Sequence, residues 1–187
     1  MKRLTAIFLF ILLMLSGCSE ANSSINKAIV LRNELLKANN CSFVATITAD
    51  YGDNAYIFKI RANVNTEGDL NFEVIEPETI YGIRGTISNE GGHITFDDHA
   101  LMFEMLADGQ ITPVCAPWLF IRALRSGYIG ACGKVADGLH IQIDDSFRGE
   151  ALQVDIWADK DNKPLRCEFL WQGRRIVSID VVDFLIV

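Results

Sequence analysis

The alternation of apolar and polar residues divides this chain into segments of different period. Leu4 to Leu15 is apolar throughout except for Thr5. From Ser24 to Ala38 the spacing is helical. Ile25, Ala28, Ile29, Leu31, Leu35 and Leu36 form a broad stripe, with Lys27, Arg32, Glu34 and Lys37 elsewhere. Ser23 or Ser24 can cap its start, and Asn39-Asn40 suits its end because Asn tolerates a left-handed backbone. After Cys41 the period falls to two. Phe43, Ala45, Ile47, Ala49 and Tyr51 alternate with Ser42, Thr46, Thr48 and Asp50. Past a turn at Gly52-Asp53-Asn54, Tyr56, Phe58, Ile60, Ala62 and Val64 alternate with Lys59, Arg61 and Asn63. Past Thr66-Glu67-Gly68-Asp69, Leu70, Phe72 and Val74 repeat the pattern until Pro77. Each run has one apolar and one polar face, as in an antiparallel sheet covered on one side.

Weaker strands are expected over Ile83–Ser88, His93–Phe96 and Leu101–Leu106. Pro113 to Gly127 breaks the rhythm with a second helix around Trp118, Leu119, Ile121 and Leu124, opened by Pro117 and closed by Gly127. Its apolar residues, Phe120 included, point in several directions, which predicts cover on more than one side. Strands resume at Leu139–Ile143 and Leu152–Ile156, and the chain closes with Leu165–Trp171 and Arg175–Phe184 about a Gln172-Gly173 turn. Segregated helices and strands predict an α+β fold: a large curved antiparallel sheet, a half-barrel, with the N-terminal helix and the inserted helix packed on its concave face. Two helices can leave part of such a face uncovered, as an apolar groove or cavity. Phe43, Ile47, Phe58, Phe72, Val74 and Trp118 are the candidate lining, with plain core packing the competing role for Trp118 and Phe120.

The first apolar run falls short of the roughly 20 residues a membrane span requires. Lys2 and Arg3 precede it, and Leu15-Ser16-Gly17-Cys18 ends it with small residues before a cysteine. That is the order of a lipoprotein signal peptide over residues 1–17, with Cys18 as the lipidated first residue of the mature chain. Acyl chains on Cys18 hold a protein at a membrane at about 0.8 kcal/mol per buried methylene. The domain is then expected on the extracytoplasmic face of a cell membrane without entering it. Residues 18–26 read as a polar tether and residues 27–187 as one domain. Net charge is −7, and −9 once Lys2 and Arg3 leave with the signal peptide. An acidic domain argues against nucleic acid, and against attraction of the domain as a whole to anionic headgroups. Export permits disulfides among Cys41, Cys115, Cys132 and Cys167, and a Cys115–Cys132 bridge is conceivable. Cys41 and Cys167 sit in strand-like runs as small core residues.

No catalytic or cofactor signature is present: no G-x-S-x-G, no H-E-x-x-H, no phosphate-binding loop. His93, Asp97, Asp98 and His99 are the one cluster of metal-type ligands, but a polar hairpin turn accounts for them. Asp144, Asp145, Glu150 and Asp155 read as strand and turn residues rather than a paired acid and base. Arg122, Arg125 and Arg148 could meet an anionic group or simply face water. The expectation is a protein with no metal, no cofactor and no enzymatic activity.

Several stretches resemble the LolA/LolB lipoprotein-carrier superfamily. Leu70-Asn71-Phe72-Glu73-Val74-Ile75-Glu76-Pro77 resembles that family's strand ending in V-x-x-P. Trp157-x-Asp159, Pro164-Leu165-Arg166, Ile176 and Ile179-x-x-x-Asp183-Phe184 resemble its last three strands. With a lipobox on an acidic chain, the likeness is nearest to the clostridial germination lipoprotein GerS and its relatives. That resemblance implies a membrane-anchored binding protein whose partner is an exported protein, in that case a spore-cortex amidase. The carrier branch implies instead an apolar cavity that takes lipid or lipoprotein acyl chains.

Overall fold

The computed structural model describes residues 18–187 apart from 53, 97–98, 105, 108–109 and 148–149. The signal peptide therefore lies outside the described residues, as do Asp97, Asp98 and Arg148. Helix α1 (Cys18–Lys37) begins six residues before the expected start and takes in the whole of the segment read as a tether. No Pro or Gly interrupts those residues, so nothing local stops the helix short of its start. Ser24, Ala28, Leu31 and Leu35 form its buried stripe. At its exit, the backbone N–H groups of Asn39 and Asn40 both donate to the Val187 carbonyl, at 2.8 and 3.0 Å. The end of the helix is thereby tied to the end of the chain.

Six strands follow: β1 (Cys41–Asp50), β2 (Ala55–Val64), β3 (Leu70–Glu76), β4 (Arg84–Ser88), β5 (Gly91–Phe96) and β6 (His99–Phe103). A small hairpin of β7 (Leu106–Ala107) and β8 (Gln110–Ile111) leads into α2 (Ala116–Ser126). Then come β9 (Tyr128–Val135), β10 (Gly138–Phe147), β11 (Glu150–Ala158), β12 (Pro164–Trp171) and β13 (Arg174–Ile186). Eleven strands make one antiparallel sheet in the order β6-β5-β4-β3-β2-β1-β13-β12-β11-β10-β9. The last strand closes back on the first, and β6 and β9 are the two unclosed edges.

The expected α+β architecture is present: a large, curved, open antiparallel sheet with both helices packed against it. Extra residues in β3, β9, β12 and, twice, β13 interrupt the registers and supply local bends, since an extra residue kinks a strand and increases its twist. In β13, Asp183 takes a left-handed φ of 55°, absorbing one residue so that Phe184 turns back into the core. Besides the two-residue strands β7 and β8, one strand of the large sheet went unread in the sequence: β9. It is an edge strand in which Ile129 and Cys132 are only partly buried and the other residues are exposed, so it has no alternation to detect. Gly138, at the start of β10, allows a close crossing; a Cβ there would lie 1.9 Å from the Ala158 carbonyl oxygen.

Candidate functional site

The paired registers place every inward side chain on a common face. Ile47 stands opposite Phe58, Phe43 opposite Ala62, Ala62 opposite Phe72 and Ile60 opposite Val74. The six candidate lining residues therefore do come together. They meet as packed side chains: Phe43 is 2 % exposed, Ile47 0 %, Phe72 4 %, Val74 3 % and Trp118 3 %, with Phe58 partly buried beside them. Helix α2 fills the hollow. Trp118, Leu119, Phe120, Ile121, Ala123 and Leu124 are all buried, around nearly its whole circumference. Phe120 meets Phe43 edge-on at 5.8 Å, and Phe184 closes the group at 5.8 Å from Phe43 and 6.4 Å from Phe120. Such offset and edge-to-face pairs add stabilisation beyond the buried area.

Polar contacts hold α2 in place. Arg32 reaches from α1 to the last turn of α2: its Nε donates to the Leu124 carbonyl at 2.7 Å. Its Nη2 donates to Gly127 at 2.6 Å and to Ala123 at 3.5 Å. The Ala123 carbonyl also accepts from the Gly127 N–H at 2.8 Å, while Leu124 lies in the last turn, whose carbonyls run out of intrahelical donors, and a cation there also meets the negative end of the helix dipole. The Trp118 Nε1–H donates to the Gly68 carbonyl at 2.9 Å. Arg125 donates to the Asn65 and Thr66 carbonyls, at 3.5 and 3.0 Å. Arg122 forms an ion pair with the buried carboxylate of Asp145 on β10. Burial raises the Asp145 carboxyl above its ordinary range, and Arg122 pulls it back. The sequence presents Arg32, Arg122 and Asp145 as ordinary charged positions, and only the register of distant elements joins them.

The residues considered for chemistry separate. Asp144 and Asp145 are adjacent in β10 and so face opposite sides of the sheet. Asp145 is buried while Asp144 is exposed, and Asp155 lies 3.6 Å from His140. His140 stacks on Trp157 with ring centroids 4.8 Å apart. His93 pairs with Met102 and His99 with Phe96, which places the two imidazoles three register positions apart. Among the described residues, no group of three or more His, Cys, Asp or Glu side chains could hold a metal. Cys41, Cys115, Cys132 and Cys167 are free thiols. Cys41 and Cys115 are buried, and burial pushes each up to about 12.

Two features open to solvent stand out. One is the β6 edge, where Leu101 is 64 % and Met102 76 % exposed. The other is a groove between the start of α1 and the β9–β10 turn. No helix among the described residues is long and apolar enough to cross a membrane.

No family model matches the sequence, and no curated protein does. Solved structures do. A conserved protein from Thermus thermophilus shares 14 % identity, with 88 % of each chain covered and a TM-score of 0.48. A LolA superfamily protein from Nitrosomonas europaea shares 11 % identity, with 89 % of this chain and 93 % of that one covered and a TM-score of 0.45. The Mycobacterium tuberculosis lipoprotein LppX shares 9 % identity, with 87 % and 93 % covered and a TM-score of 0.42. At such identities and scores the likeness is one of chain course alone.

Proposed function

We propose that this chain is a non-enzymatic binding lipoprotein, held by lipid on Cys18 at the extracytoplasmic face of a cell membrane, whose partner is another exported protein. The observation that carries this reading is the occupied concave face. Phe43, Ile47, Phe72, Val74 and Trp118 retain almost no surface, so they have none to offer an acyl chain while α2 is seated. One feature that stays open is the β6 edge, which pairs on one side only among the described residues and exposes Leu101 and Met102. An extended segment of a partner can add there as a further strand: main-chain hydrogen bonds supply affinity and the two apolar side chains supply selectivity. The resemblance to germination lipoproteins makes a spore-cortex or cell-wall amidase the first partner to test.

Co-expression of the lipoprotein with such an amidase, followed by purification from the membrane fraction, tests the reading. Binding is expected for the native chain and expected to be lost in Leu101→Asp/Met102→Lys, two exposed changes that leave the core alone. Failure to recover any specific exported protein at native expression levels overturns it. Acyl-chain binding by the unmutated protein, seen as a lipid-bearing species in native mass spectrometry, would instead support the carrier role.

A further inference from the structure

The groove at the start of α1 has a composition at odds with the acidic chain around it. It has a volume of about 370 Å³ and is bordered by Ser23 and Lys27 of α1, Lys134 and Val135 at the end of β9, and Lys160 in the β11–β12 turn. Among the side chains described, no carboxylate lines it. Among the described residues, none of these lysines forms an ion pair. Carboxylates do occur in the adjoining turns. Asp159 is engaged by its own loop, accepting from the backbone N–H of Asp161 at 2.9 Å and of Lys163 at 2.8 Å, while Asp137 and Asp161 are exposed and outside the lining. Three lysines thus border one groove with no carboxylate among the lining side chains described, on a chain of net charge −7.

We propose that this groove receives the phosphate of an anionic phospholipid headgroup in the membrane that carries the protein. The proposal rests on the reading of Cys18 as lipidated. Ser23 follows Cys18 by five residues of one helix, a rise of about 7.5 Å at about 1.5 Å per residue. That distance is within a Debye length of the lipid surface, so the lysines act at headgroup depth. Val135, 37 % exposed at the rim, offers an apolar contact beside them. The lipid chains hold the protein at the bilayer, and the lysine groove sets which side of the domain faces it. The overall negative charge then keeps the rest of the domain, with the β6 edge, away from the surface.

The test is amine acetylation of the full lipoprotein in phosphatidylcholine vesicles with and without phosphatidylglycerol, read peptide by peptide by mass spectrometry. Phosphatidylglycerol should slow Lys27, Lys134 and Lys160 by roughly fivefold, the factor equivalent to about 1 kcal/mol per near-surface lysine. Lys37, at the far end of α1, and Lys59 should not change. Lys134→Gln/Lys160→Gln should abolish the protection of Lys27. Equal rates in both lipids, or equal slowing at every lysine, overturns the proposal. So does protection by soluble glycerophosphate over phosphatidylcholine alone, which would mark a site for free phosphate esters. The N-terminal peptide of the same digest reports acylation of Cys18. Its absence sinks the anchoring reading itself, whereas an acylated Cys18 with unprotected lysines sinks only the headgroup site.

Discussion

Arg32→Met isolates the contact that joins the two helices. Methionine keeps most of the aliphatic stem and removes the guanidinium, which donates at 2.7 Å to Leu124 and 2.6 Å to Gly127, and more weakly at 3.5 Å to Ala123. Hydrogen bonds involving a charged group contribute about 1.5–3 kcal/mol each. Arg32 is only partly buried, so water can reach some of the vacated carbonyls and the lower figure applies to each of the two short bonds. The loss of a cation at the helix C-terminus adds about 0.5 kcal/mol. Against this, burial of Arg32 disfavours its charge, as the lowering of its pKa indicates, so the dipole contribution is left out of the sum. The expected loss is about 3 kcal/mol, a large share of the roughly 5–15 kcal/mol available to a domain. With a urea slope of about 2 kcal/mol/M, the unfolding midpoint should fall by about 1.5 M with the slope unchanged. Arg32→Lys should recover less than half, because an ammonium cannot fork between two carbonyls. A midpoint within about 0.3 M of the native protein for Arg32→Met would refute the claim that this side chain secures α2.

Other consequences can be measured on the same material. The Asp145 carboxyl is raised by burial above its ordinary 3.8, with Arg122 opposing. Its contribution to stability is therefore fully present below that value and lost as pH rises through the folded one. Relative to Asp145→Asn, the native protein should gain stability as urea titrations move from neutral pH toward the ordinary value, and parallel pH profiles would contradict this. Cys41 and Cys115 are pushed up to about 12, and Cys167 is also raised by burial. Iodoacetamide at mildly alkaline pH should alkylate half-buried Cys132 first and spare the other three until urea is added, as read by peptide mass spectrometry. Gly138→Ala would place a Cβ 1.9 Å from the Ala158 carbonyl oxygen. Separating β10 from β11 in this way should cost about 1–3 kcal/mol in chemical denaturation, and a neutral result would show that the crossing can relax.

The fold was legible where one face of a strand is buried and the other is wet. In β1, Cys41, Phe43, Ala45, Ile47 and Ala49 are buried and their neighbours are not, so burial reproduces the alternation along the chain. Helix α2 was legible from its punctuation, Pro117 near its start and Gly127 after its end. Strand β9 was hidden because an edge strand with small and polar residues buries no periodic face. The site was less legible for a different reason. Which face was apolar could be read, and so could its candidate residues. Whether α2 filled that face could not, since occupancy depends on how Phe120 meets Phe43 and Phe184 across three distant segments. The lysine groove is hidden in the same way, with Lys27, Lys134 and Lys160 drawn from three elements that share no sequence motif.

The filled hollow also favours the proposed partner binding over the carrying of a lipid. To expose the concave face, α2 must leave, taking Trp118, Leu119, Phe120, Ile121 and Leu124 out of full burial. At about 1.5–3 kcal/mol per large apolar side chain, this costs on the order of 10 kcal/mol, as much as the stability of the domain itself. A long acyl chain entering from water could offset that, at about 0.8 kcal/mol per methylene. A chain drawn from a bilayer cannot, because its methylenes are already buried there and gain nothing by moving to a protein surface. For a protein tethered to a membrane the available lipid is bilayer lipid, so the exchange runs uphill by nearly the whole cost of displacing α2. Binding at the β6 edge meets no such cost, since Leu101 and Met102 are exposed before any partner arrives. On the proposed reading, the same physical chemistry that packs Phe120 into the sheet moves recognition from the hollow of the half-barrel to its rim.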